Sequence, residues 1–249
     1  MTYEDTALSN TSNFREAIQK AKGQSLIGPN VIKNALPFVG GGLVLTALGS
    51  FGGLSVMASQ PQSIFMATFW VALVAQIVLF FVASNIANQE KNSTALPLLA
   101  TYSLLTGYTL SGLIYVALGT AGVGIMGIGS AALACGVVFI AARQIGSNLS
   151  EEDGFALTRT IGMGVVAVLI AVVGQFLFAL FGGGVPQFLD IAISAFGVLV
   201  FVGASVVDFF ILPRTYKDEQ YLSAALSMYL TYINLFIFIL RLLIAINRD

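Results

Sequence analysis

The chain has 249 residues, 57% of them hydrophobic and 9% charged, with 11 basic and 12 acidic side chains for a net charge of −1. Soluble domains carry about 25% charged residues, and a mean hydropathy of +0.90 excludes a water-soluble globule. There is no basic excess to draw nucleic acid, and the lone Cys135 excludes an internal disulfide framework.

Histidine is absent altogether. That removes the serine and cysteine triads, the HExxH metalloproteases and histidine-ligated haem. The expectation is a non-enzymatic membrane protein without a cofactor.

Residues 1–34 form a polar arm carrying Glu4, Asp5, Arg15, Glu16, Lys20, Lys22 and Lys33. No apolar segment of the signal-peptide kind opens it. Asn13 and Glu16 resemble a capping box, with Phe14, Ile18 and Ala21 on one side of a short helix. Residues 35–249 form the membrane domain. Seven apolar stretches follow, near 35–57, 63–87, 95–117, 121–142, 160–182, 189–212 and 222–246. Each reaches the roughly 20 residues that cross a hydrocarbon core. Continuous apolarity excludes barrel strands, which alternate, so the fold class is an all-α polytopic membrane protein with seven transmembrane helices.

Basic residues give the orientation. If all seven spans cross, nine of the eleven lie on one side, in the arm and the 2–3, 4–5 and 6–7 loops. The positive-inside rule then puts the N-terminus in the cytoplasm. Many of the 26 glycines sit inside spans, among them Gly40-Gly41-Gly42, Gly122, Gly124, Gly127, Gly129, Gly162 and Gly164. Small residues let helices approach closely in lipid, so this spacing reads first as packing.

Ionisable residues within spans are functional candidates by default. Asp208 lies about one turn from the cytoplasmic end of span six, and Asp190 lies at its other end. The two are 18 residues apart, five turns at 3.6 residues per turn, so they share a face. On span seven, Ser223, Ser227, Thr231, Asn234 and Arg241 share a face that should point into the bundle. Ser227 is level with Asp208, and Thr231 is a turn deeper. Arg241 is near the level of Asp190, which makes an outer ion pair plausible. The ion-pathway and pH-sensing candidates are therefore Asp208, Ser227, Thr231 and Asn234, with Asp208 the best candidate for holding a metal. A hydrogen-bonded core without conduction reads the same stripe equally well.

Span three contains Leu105-Thr106-Gly107-Tyr108-Thr109-Leu110-Ser111-Gly112. With the stretch Ala192 to Asp208, and Ala224 to Leu243 with its Tyr229-x-x-x-x-Asn234-Leu235-Phe236 pattern, it resembles the Bax inhibitor family of seven-span proteins. The resemblance covers nearly all the spans but not the arm. It implies a central seventh helix surrounded by the other six. In calcium-leak members it implies a pair of aspartates, one on span six and one on span seven, that share a proton and gate the channel. Asp208 matches the first, while Thr231 stands where the second would be. A hydroxyl accepts a hydrogen bond but supplies no like-charge repulsion.

The C-terminal stretch Tyr229 to Asp249 looks closer to a bacterial branch that also carries a hydroxyl there. That branch is similar to modulators of a membrane AAA protease, with the N-terminal tail engaged by the protease. Two functional expectations follow: a passive, pH-sensitive calcium or proton leak, or a non-conducting partner of a membrane protease or other membrane complex, in a bacterial plasma membrane or another internal energy-transducing membrane.

Overall fold

A computed structural model describes residues 26–181 and 184–248. The capping box and short helix expected in the arm lie outside the described residues. Seven long helices follow one another: α1 Val31–Ser59, α2 Gln62–Asn88, α3 Asn92–Gly119, α4 Gly124–Gly146, α5 Glu151–Leu180, α6 Gln187–Thr215 and α7 Tyr221–Ile246, with a 3₁₀ turn at Asp218–Gln220. Among the described residues every regular element is helical.

Six of the seven are both long and apolar enough to cross a membrane; α3 is as long but less apolar. Its polarity is used internally. Ser103, Thr106 and Ser111 of α3 are buried, and α3 packs most extensively on α1. A helix whose hydroxyls bond within the bundle crosses lipid despite a low mean hydropathy.

Two helices begin well before hydropathy places them. The first starts at Val31 rather than 35, because Asp218 caps it from the far end of the chain: its carboxylate accepts from the Asn30 N–H (2.8 Å) and from Asn30 Nδ2 (3.1 Å). The fifth starts at Glu151 rather than 160. Ser150 caps it, accepting from the Asp153 N–H (3.1 Å) and donating to the Asp153 carboxylate (2.7 Å), and Glu151, Glu152 and Asp153 sit at its positive dipole end. The interval of 143–159 left between the expected fourth and fifth spans thus shrinks to residues 147–150.

The loops identify the two ends. At one, Lys217 pairs with Glu90 (3.2 Å), Gln220 donates to the Asn88 carbonyl, and the Ile27 N–H donates to the Pro213 carbonyl. At the other, Gln187 donates to the carbonyls of Ala245 and Arg248. The tight α3–α4 turn there uses Gly122 at φ 77° and Gly124 at φ 52°, which favour glycine.

Helix α7 is central, packed against α1, α2, α3, α4 and α6. Helix α5 packs mainly on α6 and reaches α7 through Gln175, which accepts from Arg241 at 2.7 Å; its long apolar side chains Met163, Val166, Leu169 and Ile170 are exposed.

Candidate functional site

Helix α6 carries Asp190 and Asp208 18 residues apart, about 27 Å at 1.5 Å per residue, close to the thickness of a hydrocarbon core. Both turn toward α7, but they meet different surroundings.

At the α6–α7 turn end, Asp208 is buried, and Ser227 Oγ donates to its Oδ1 at 3.0 Å. Thr231, a turn deeper and buried, is turned toward the same carboxyl. Oδ2 is buried with no hydrogen-bond partner. Among the described residues no cation pairs with it. The nearest basic residue in sequence, Arg214, is occupied elsewhere, donating to the Phe210 carbonyl (2.7 Å) and stacking over the Phe210 ring at 4.0 Å. Tyr216, in the turn beyond the helix, has its phenol held above the ordinary value, first by burial and then by the negative charge of Asp208. That places Tyr216 within electrostatic reach of the carboxylate, a neighbour that periodicity did not single out.

At the opposite end Arg241 Nη2 donates to Asp190 Oδ1 at 2.8 Å and to Gln175 Oε1 at 2.7 Å. Gln175, from the peripheral α5, was not among the sequence candidates; a glutamine deep in an otherwise apolar span was the signal. These groups line an open recess with Arg248, Gly184 and Val185.

The stripe on α7 is not one continuous path. Ser223 Oγ is buried without a partner, and Asn234 Nδ2 folds back on its own helix, donating to the Leu230 carbonyl at 2.8 Å. Between the two charged ends, Val200, Phe201, Leu235, Phe236, Phe238 and Leu240 are buried together. Phe201 and Phe238 stack with ring centroids 5.5 Å apart, and Gly197 gives Phe238 the room to lie flat on α6.

A second polar cluster, also unread in the sequence, ties α1, α3 and α7. The Tyr229 and Thr46 hydroxyls lie 2.6 Å apart, and Thr46 also reaches the carbonyls of Gly42 (2.9 Å) and Ser103 (3.1 Å). No group of three or more aspartate, glutamate, cysteine or histidine residues gathers among the described residues. Calcium, which takes about six to eight oxygen ligands, would find one carboxylate at Asp208 and otherwise only hydroxyls and carbonyls.

Residues 28–249 match the family model described as inhibitor of apoptosis-promoting Bax1. The chain belongs to the Bax inhibitor family. It is 32% identical over 197 residues to an uncharacterized membrane protein of Streptococcus pyogenes serotype M1, covering 76% of this chain and 77% of that one. A Deinococcus radiodurans protein is 28% identical over 212 residues, 81% of this chain and 84% of that protein. Fission yeast Bax inhibitor 1 is 41% identical over a shorter stretch of 56 residues, 22% of this chain and 21% of that protein. Apolar helices of spanning length and relatives described as membrane proteins make this a multi-pass integral membrane protein.

Proposed function

We propose that this Bax inhibitor family member is a passive, pH-sensitive cation leak, for calcium or protons, with Asp208 as its charged site. The observation that carries the reading is a buried carboxylate with one unpartnered oxygen and no cation beside it. A charge at that depth is costly unless it is solvated or paired. When protonated, Asp208 is a neutral group among hydroxyls and the bundle stays shut around Phe201 and Phe238. When ionised, it favours an arrangement that admits water or a cation. The leak therefore rises as pH rises through the titration of Asp208. Thr231 in place of a second carboxylate makes this a one-charge gate, without the repulsion of a paired one.

The test is ion flux into proteoliposomes: Asp208→Asn lowers the flux and removes its pH dependence, whereas flux indistinguishable from wild type across pH removes Asp208 from the mechanism. The absence of histidine and a single carboxylate set among hydroxyls support a non-enzymatic role. The clustering of basic loops at the Asp208 end supports a cytoplasmic N-terminus, and the bacterial relatives support a plasma-membrane location.

A second reading, a non-conducting partner of a membrane AAA protease or another membrane complex, is favoured by the apolar plug and by the hydroxyl at Thr231. Affinity purification from native membranes with and without residues 1–30 tests it; identical partner sets remove the arm's role.

A further inference from the structure

On the face of α7 turned away from Asp208, a side recess of about 130 Å³ lies between α1, α3 and α7. Pro37 and Gly41 of α1 and Leu96 of α3 line it and are exposed, so its mouth opens laterally, toward lipid. Leu99, Leu226 and Tyr229 form its inner wall. Two of the hydroxyls on its wall are used elsewhere, Ser103 donating to the Leu99 carbonyl (3.0 Å) and Tyr229 bonded to Thr46; apart from these and Tyr102 the lining side chains are apolar. A recess of this size and lining suits a segment of a few methylene groups.

A Cβ at Gly42 would meet Tyr229 at 3.0 Å and Ser103 at 3.2 Å, so Gly42 is required by its neighbours. A Cβ at Gly41 would meet nothing within 4 Å, so the wall is open at that position. Above the mouth, Lys33 lies on the line Lys33, Pro37, Gly41, each one turn from the next, and is exposed. Among the described residues it has no acidic partner, because Glu90 is paired with Lys217 and Asp218 is bonded to Asn30.

We propose that this recess holds a segment of one acyl chain of an acidic phospholipid, with Lys33 drawing the net negative charge of the headgroup. The chain fills space against α1, α3 and α7 that would otherwise forfeit its contacts. One lysine near an anionic headgroup favours it by about fivefold over a zwitterionic one.

The experiment is native mass spectrometry of the full-length chain in detergent, titrated separately with phosphatidylglycerol and phosphatidylcholine. Wild type should retain one phosphatidylglycerol with about fivefold preference. Lys33→Gln should bring the two lipids level, and Gly41→Leu should lose the retained lipid with unchanged thermal melting. Ala100→Phe fills the same recess from α3 and serves if Gly41→Leu does not fold. Equal retention of both lipids by wild type, or full retention by a folded recess-filling variant, overturns the proposal.

Discussion

Asp190 and Asp208 occupy one helix, and one of them has a cation beside it while the other does not. Arg241 pays for the charge on Asp190, with side chains only 15% and 22% exposed at the pair. Asp190→Asn or Arg241→Gln alone should each destabilise the protein by about 2 kcal/mol, below the 3–5 of a fully buried pair. The double variant should recover much of that loss, as a double-mutant cycle in thermal melting would show; strict additivity would deny the coupling. Asp208 has no such partner. Asp208→Asn should melt at or above wild type, while Ser227→Ala should cost about 1–2 kcal/mol by stripping the remaining hydrogen bond. A stabilised Asp208→Asn with reduced flux would mark Asp208 as kept for activity at a cost in stability. Equal depth on adjacent spans was enough to bring Ser227 to Asp208 and Arg241 to Asp190 on paper. Tyr216 and Gln175 escaped because a turn's path and a peripheral helix's rotation are not written in any one span's periodicity.

The contact between α1 and α3 shows how much of helix packing is readable. Glycine inside spans announces close approach as a class, yet only some of the glycines serve it. A Cβ at Gly107 would collide with the Thr46 carbonyl, and one at Gly49 with the Leu104 carbonyl. Ser50 closes the crossing by donating to the Gly107 carbonyl at 2.9 Å. Gly40, Gly129 and Gly162, by contrast, meet nothing within 4 Å. Which glycine is needed depends on how helices more than fifty residues apart rotate against each other, and a single sequence does not carry that angle. Gly107→Ala should therefore force α1 and α3 apart, costing about 1–3 kcal/mol. Gly52→Ala, on the same α1 but in open space, should be neutral or stabilising by up to about 1 kcal/mol. Comparable melting shifts for both would contradict this account of the crossing.

At the scale of the molecule, the charge census and the architecture agree on one end. Asn30, Asn88, Glu90, Asn92 and Pro213 all bond to the α6–α7 connection or the segment leading into α1, gathering the 2–3 and 6–7 loops where the chain enters α1. In a Cys135→Ser background, a cysteine at Glu90 should react with an impermeant thiol reagent only from the cytoplasmic side, and one at Thr120 only from the other. The reverse pattern would invert the orientation. Apolarity alone made the helices legible and left α3 ambiguous, because its hydroxyls are spent inside the bundle. It also left α5 indistinguishable from its neighbours, though α5 packs mainly on α6 and meets α7 through Gln175. The proposed leak rests on Asp208 as the charge that governs conduction. Calcium and proton flux into proteoliposomes, measured as a function of pH for wild type and Asp208→Asn, tests that role. Wild-type flux should climb with pH and the variant flux should stay low and flat; matching curves for the two proteins would remove Asp208 from conduction.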